Sequence, residues 1–246
     1  MNIIEEAVAF AWKAHEGTVR TGSTLPYILH PLEAGAIVAR ITDDPEVIAA
    51  AILHDVVEDT AFTEKDICRR FGSRVALLVM ADTENKRPWL LAAETWMLRK
   101  QETIERLQKA TDEEKMIAFG DKLANLRSML SDYKRQGEPF WNRFVQKDPQ
   151  KHLWYYSALM DIFVTLFEKL PDTTLFSEYC RCFANLRMLV QEYQTFGRHD
   201  PRAFCVLSQP GDDTWVLQRK DTADVLVMSQ EEFQAFIGAA GGKPEG

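Results

Sequence analysis

Seven apolar residues, Val47-Ile48-Ala49-Ala50-Ala51-Ile52-Leu53, run directly into His54-Asp55-Val56-Val57-Glu58-Asp59-Thr60. The first run reads as a core helix. The second puts an imidazole and three carboxylates at its end. Such groups are rarely buried unless they are paired or bound to a metal. An α-helix advances about 100° per residue, so positions four apart lie about 40° from one another. If the helix continues, His54 and Glu58 share one face, and Asp55 and Asp59 share the adjacent one. A solvated helix end explains a lone His-Asp pair. A second acidic pair one turn later, on matching faces, argues for a metal-binding pair at the base of a cleft. The fold must therefore bury the apolar run and leave its end open to a ligand.

The rest of the chain supplies helices to pack around this one. Ile3, Ala7, Phe10, Ala11 and Ala14 recur at helical spacing, which predicts a helix over 2–16 that ends at Gly17. A loop over 18–26, rich in turn formers, leads to Tyr27-Ile28-Leu29-His30-Pro31. Pro31 suits a first helical position, so His30 is expected at the mouth of a helix over about 32–41. Asp44-Pro45 reads as an N-cap and first-position proline that open the central helix. Thr63-Glu64-Lys65-Asp66 resembles a capping box for a short helix ending at Gly72, with another over 74–81. Residues 83–89 read as a loop and 90–109 as a helix. Thr111-Asp112-Glu113-Glu114 caps a long helix that carries Asp121 and Asn125 on one face and ends near Gly137. Further helices are predicted over about 139–147, 149–169 and 173–196.

From Ala203 the pattern becomes β-like. Phe204–Leu207, Thr214–Leu217 and Asp224–Val227 alternate with turn residues and predict a small β-meander, followed by a short helix over about 230–239. The expected architecture is an all-α bundle over 1–200 with a small β-rich appendage over 203–246. The net charge of −8 argues against a nucleic-acid binder, which needs a basic surface. It does not exclude an anionic small substrate, because a metal and a few local cations reverse the field within one cleft. Cys68, Cys180, Cys182 and Cys205 fit no zinc-ligand spacing and read as buried or incidental thiols. The acidic N-terminus has no signal-peptide character, and no apolar run reaches membrane-spanning length. These features predict a cytoplasmic protein without membrane or nucleic-acid partners.

His30, His54, Asp55 and Asp121 offer two imidazoles and two carboxylates, a mixed nitrogen and oxygen set suited to a divalent first-row metal such as Mn²⁺, Fe²⁺ or Zn²⁺. Glu58 and Asp59 then stand beside a water, one to orient or deprotonate it and the other to assist as acid or shape the site. The constellation suits hydrolysis of a phosphate ester. Each residue also has a plainer role. His30 can be a simple helix-start residue, Asp121 can pair with Lys122 or Arg127, Asn125 and Arg20 can be solvated, and Trp154-Tyr155-Tyr156 can be core. The functional case lies in their occurring together.

The ordered set Ala14-His15-Glu16-Gly17, Arg20-Thr21-Gly22, Tyr27-Ile28-Leu29-His30-Pro31, His54 to Thr60, Phe71-Gly72-Ser73-Arg74-Val75-Ala76 and Asp121-Lys122-Leu123-Ala124-Asn125-Leu126-Arg127 resembles the HD-domain hydrolase of the RelA/SpoT alarmone enzymes. Within that group it is most similar to the stand-alone small alarmone hydrolases, over about residues 1–170. The resemblance implies an all-helical HD fold, one Mn²⁺ per site, and hydrolysis of the 3′-pyrophosphate of guanosine tetra- or pentaphosphate (ppGpp, pppGpp). It implies His30, His54, Asp55 and Asp121 as metal ligands and Glu58 and Asp59 as the catalytic pair. Arg20 and Asn125, with Tyr155 less directly, are implied as nucleotide contacts. The family commonly carries lysine where this chain has Thr21. Lys86, Arg87, Lys122, Arg127 and Lys151 are the candidates to restore that charge. With no synthetase module in the chain, degradation of the alarmone is expected, not its synthesis. Two rival readings are an HD phosphohydrolase acting on another phosphorylated nucleotide, and a non-catalytic alarmone sensor that docks partners through 203–246.

Overall fold

The computed structural model describes residues 2–85, 87, 89–196, 204–208, 214–219, 225–229, 231 and 233. The chain divides into two compact units, Met1–Leu186 and Arg187–Gly246. Among the described residues, ten α-helices run in order: α1 (Ile3–Ala14), α2 (Leu29–Val38), α3 (Pro45–Leu53), α4 (Val56–Asp59), α5 (Glu64–Phe71), α6 (Ser73–Asp82), α7 (Ala92–Lys109), α8 (Asp112–Gln136), α9 (Pro149–Phe167) and α10 (Thr174–Phe196). A 3-10 turn, Glu138–Arg143, joins α8 to α9.

Local chemistry sets most of these boundaries. Asn2 and Glu5 form a capping box on α1, Thr63 and Asp66 one on α5, and Thr111 and Glu114 one on α8. In each, the cap side chain and the acidic residue three positions on satisfy two orphan amides reciprocally. Asp44 accepts from the amides of Glu46 and Val47, and Pro45 follows it at the first position of α3. Gly137 ends α8 with φ +64°, a conformation that side chains with a Cβ rarely adopt.

α3 is the centre of the helical unit. It packs against α1, α2, α6 and α8, and every residue from Val47 to Leu53 is buried. A helix apolar on all sides is stable only when surrounded. Burying Val47, Ile48, Ile52 and Leu53 contributes roughly 1.5–3 kcal/mol per side chain. The surrounding core includes Ala7, Phe10, Val38, Ile67, Phe71, Val75, Val79 and Ile117.

α2 is gripped between α3 and α8 at two glycines. A Cβ on Gly35 would stand 2.4 Å from Ile52 Cγ1, and one on Gly120 would stand 2.8 Å from the Ala34 carbonyl oxygen. The absence of side chains at these two points lets three backbones approach closely. That approach brings together the residues each helix carries: His30 on α2, His54 after α3 and Asp121 on α8.

Three expectations need correction. α2 begins at Leu29, so His30 lies inside its first turn and not at its mouth. Pro31 is tolerated there because the first four helical amides have no intrahelical partner. The central helix does not continue through His54; it stops at Leu53, turns at His54 and Asp55, and resumes as α4. The segment expected as a helix over 139–147 is a 3-10 turn over Glu138–Arg143, with Gly137 before it and Pro139 inside it. Cys68, Cys180 and Cys182 are free thiols, Cys68 exposed and the other two partly buried, in keeping with incidental thiols.

In the second unit, β1 (Phe204–Ser208), β2 (Thr214–Arg219) and β3 (Val225–Ser229) form an antiparallel sheet in the order β1-β2-β3, the expected meander. Val206 pairs with Leu217, and Val216 pairs with Val227. The helix expected over 230–239 lies outside the described residues except at Glu231 and Phe233.

Candidate metal centre and its adjoining cleft

Adjacent residues on an unbroken helix point about 100° apart. His54 and Asp55 nevertheless reach one point, because the helix breaks between them. His54 keeps helical angles, while Asp55 sits at φ −89°, ψ −7°, the bridge region where helices turn. His54 Nε2 lies 3.0 Å from Asp55 Oδ2 and 3.7 Å from Asp121 Oδ1. His30 Nε2 lies 3.1 Å from Asp121 Oδ1 and 3.5 Å from Asp55 Oδ2. The two imidazole rings meet edge to face at 5.2 Å. His30, His54 and Asp121 are buried, and Asp55 keeps 16% of its side chain exposed. All four predicted ligands therefore converge.

The protonation of His54 shows what this group is built to hold. Its Nδ1 stands 2.8 Å from the Ala51 carbonyl oxygen, so the ring proton belongs on Nδ1 and donates there. Nε2 then turns its lone pair toward two carboxylates. It is buried and makes no hydrogen bond, although Asp55 Oδ2 is close enough for one. A bare nitrogen lone pair facing anionic oxygens is repulsive unless a cation lies between them. Ligand atoms of His30, His54 and Asp121 lie within 4.8 Å of one another. The donor set is two imidazoles and two carboxylates with no thiolate, which fits a divalent first-row metal.

The same anionic field favours any positive charge at Nε2, a proton or a metal ion alike. Burial pushes the His54 imidazolium down, but Asp55 beside it and Asp121 outweigh burial and raise it well above the usual range. Burial raises Asp55, and the adjacent His54 overcomes this and holds its carboxyl far below the usual carboxylate range. Asp121 is likewise held well below that range against burial, with Lys122 the largest opposing influence. Both carboxylates are thus held toward the anionic form.

A shell of donors orients these carboxylates. The Tyr27 hydroxyl donates to Asp55 Oδ2 at 2.7 Å and lies 3.0 Å from Asp59 Oδ2. Burial, with Asp55 and Asp59 beside it, raises the Tyr27 phenol well above its usual range, so it stays a donor. The buried His15 ring packs against Tyr27 at 4.9 Å. Asn125 Nδ2 and Lys122 Nζ both donate to Asp121, so the plainer Asp121–Lys122 pair is present alongside the convergence. Arg20 Nη2 donates to Asn125 Oδ1 at 3.1 Å, which ties the loop over 18–26 to α8.

Glu58 and Asp59 sit on α4 at the rim. Glu58 Oε2 accepts the backbone amide of Glu84 at 3.1 Å. The Glu84 carboxylate is in turn held by Arg99, Lys100 and Thr103 of α7. Asp59 shares Tyr27 with Asp55, as expected of residues four apart.

A cleft of about 230 Å³ adjoins the group, with Arg20, Thr21, Tyr27, Asn125, Ser128 and Arg143 in its walls. Tyr155 does not share this wall. It is buried on α9 beside Lys100, 5.0 Å from ring centroid to ammonium, and its hydroxyl has no hydrogen-bond partner. Of the cations considered as replacements at Thr21, Lys122 is bound to Asp121, Arg87 to Glu102, and Arg127 to Glu33 and Glu178. Lys86 lies outside the described residues. Arg135 and Arg143 do line the cleft, and the sequence reading did not single them out. Arg143 ends a 3-10 turn with no apolar periodicity, so nothing in its neighbourhood marks which way it points. Among the described residues, no helix is long and apolar enough to cross a membrane.

Known proteins share parts of this arrangement. The guanosine-3′,5′-bis(diphosphate) 3′-pyrophosphohydrolase of Haemophilus influenzae is 46% identical over 66 residues, which is 27% of this chain and 10% of that protein. The enzyme of the same name from Aquifex aeolicus is 35% identical over 130 residues, 51% of this chain and 18% of that protein. The chain thus spans less than a fifth of the length of these curated relatives. A solved structure of a metazoan ortholog of SpoT, described as hydrolysing ppGpp and playing a role in starvation responses, is 27% identical with a TM-score of 0.60. That match covers 77% of this chain and 97% of the other. A crystal structure from Listeria monocytogenes EGD-e is 33% identical with a TM-score of 0.54, covering 66% of this chain and 99% of its own. The HD domain model matches residues 7–144, from α1 through α8 to the 3-10 turn and with the whole ligand group inside it. With more than half of its length in that match, the chain belongs to the HD domain family.

Proposed function

We propose that this chain is a metal-dependent hydrolase that removes the 3′-pyrophosphate of ppGpp and pppGpp, with Mn²⁺ as its metal, and leaves GDP or GTP. The observation that carries this reading is the convergence of His30, His54, Asp55 and Asp121 on one point beside an arginine-lined cleft. The names of the Haemophilus and Aquifex relatives and the described activity of the SpoT ortholog support it.

His30, His54, Asp55 and Asp121 hold the metal. When bound, it supplies Lewis acidity to a phosphoryl oxygen and acidifies water. Glu58, oriented by the Glu84 amide, takes the proton of the attacking water. Asp59, positioned through Tyr27, serves the leaving side. Water oxygen bonds to the phosphorus on the ribose 3′-oxygen, that phosphorus–oxygen bond breaks, the 3′-oxygen regains a proton, and pyrophosphate departs. Arg20 and Asn125 contact the nucleotide. The reaction is assigned to residues 1–200, with 203–246 as an appendage, and the protein is placed in the cytoplasm.

The test is a nucleotide panel on metal-depleted and Mn²⁺-loaded protein. The expected result is GDP and pyrophosphate from ppGpp with the loaded protein alone. Absence of turnover with metal shown to be bound rejects the enzyme. A higher catalytic efficiency on a different phosphorylated nucleotide moves the assignment to that substrate.

A further inference from the structure

The loop between α6 and α7 is pinned to α7 more firmly than a surface connection needs. Glu84 lies two residues beyond the end of α6, yet its side chain is only 11% exposed. Its Oε1 accepts from Lys100 Nζ at 2.5 Å and its Oε2 from Arg99 Nη1 at 2.9 Å, with Thr103 Oγ1 3.3 Å from Oε1. Three residues on, Arg87 stands at φ +47°, and Glu102 of α7 binds its guanidinium. That left-handed conformation costs a residue with a Cβ about 1–3 kcal/mol.

Lys100 is itself held in place. Its ammonium lies 5.9 Å from the centre of the Trp96 ring and 5.0 Å from that of Tyr155, and both rings are buried. The ring quadrupole attracts a cation over its face. Burial raises the Glu84 carboxyl, and Lys100 and Lys122 overcome this and hold it below the usual carboxylate range.

Stability does not explain this cluster. Taking charges out of water costs several kcal/mol per ion, and apolar side chains of the same size in place of a buried ion pair are often neutral or stabilising. For packing, α7 already has an apolar stripe in Trp96, Ile104 and Leu107. What the ions add is a fixed place for the backbone at Glu84, whose amide donates to Glu58 Oε2 at 3.1 Å. A buried lysine on α7 thus reaches the rim of the metal centre through one carboxylate and one amide.

We infer that Lys100 is a positioning residue for the hydrolytic step: with Arg99 it holds the Glu84 carboxylate, which fixes the amide that aims Glu58 at the attacking water. This rests on the proposed role of Glu58 as the base. Lys100 acts through Glu58 and not on the nucleotide. Its effect therefore falls on kcat, because a misdirected base slows the step without weakening the ground-state complex.

The test compares the native full-length protein with Lys100→Met, which keeps the apolar stem and removes the charge. With Mn²⁺ loaded, Lys100→Met retains the native metal content, its KM for ppGpp stays within about twofold, and kcat falls by about 10–100-fold. Amide hydrogen exchange, which needs no turnover, shows the Glu84 N–H exchanging at least about tenfold faster. In a Glu58→Gln background Lys100→Met lowers kcat by no more than about twofold, because the group it acts through is already gone. A raised KM with unchanged kcat, an unchanged Glu84 exchange rate, or an equal loss of kcat in both backgrounds overturns the inference. If Lys100→Met does not fold by circular dichroism, Lys100→Met combined with Glu84→Gln decides, since it leaves no buried carboxylate unpaired. The same loss of kcat at constant KM is expected, and a kcat within about twofold of native overturns the inference. If the native protein binds metal but does not turn over ppGpp, while Lys100→Met still speeds Glu84 exchange, the proposed function alone is rejected. Turnover of ppGpp with a kcat indifferent to Lys100→Met rejects this inference alone.

Discussion

Asp55 and Glu58 lie three residues apart and have separate tasks, which substitutions can pull apart. Asp55 stands against both imidazoles, whereas Glu58 contacts the Glu84 amide at the rim. Asp55→Ala is therefore expected to abolish metal binding and turnover together. Glu58→Gln keeps the metal, measured by elemental analysis after gel filtration, while kcat falls by about 10²–10⁴. If Glu58→Gln loses metal as readily as Asp55→Ala, the division of labour is wrong. The identities of these residues were legible in the sequence; their geometry was only partly so. Spacing predicted that Asp55 and Asp59 share a face, and Tyr27 contacts both. It did not predict the turn at His54 and Asp55, because no glycine or proline marks it. The turn comes from tertiary contacts, and it lets two adjacent residues reach one point.

Among the helices, the position of α2 matters most. It carries His30, and it reaches α3 and α8 only because Gly35 and Gly120 leave room. Alanine is the better helix former than glycine by about 1 kcal/mol. Overpacking costs about 1–3 kcal/mol, and at Gly120 the obstacle is the Ala34 carbonyl oxygen, a backbone atom that no rotamer change can move. The clash outweighs the propensity gain, so Gly120→Ala is expected to lower the melting temperature by several degrees and weaken metal binding. A variant as stable as the native protein would show that α2 and α8 are not in close contact. Helix boundaries set by local hydrogen bonds were readable in advance, as the capping boxes at Thr63 and Thr111 show. Glycine contacts between helices and the 3-10 turn that delivers Arg143 depend on what lies across the interface, which periodicity does not encode.

For the whole molecule, charge is distributed against its own average. The chain carries −8, yet its cleft concentrates arginine beside carboxylates that need a cation. A metal that binds the folded state and not the unfolded one adds about 2.7 kcal/mol at a hundredfold excess over Kd. In a chain of this size that corresponds to roughly 5–10 °C in Tm. Chelation is expected to lower the melting temperature by that amount, and Asp55→Ala protein should show no such gap. A gap of equal size in Asp55→Ala would place the metal elsewhere. The contact between Glu58 and the Glu84 amide has a further consequence, for how freely the sequence can change. Every amino acid except proline supplies the same backbone N–H. The 26-residue link between acid and loop is therefore insensitive to most exchanges at position 84 that leave the loop in place, and one codon change to proline erases it.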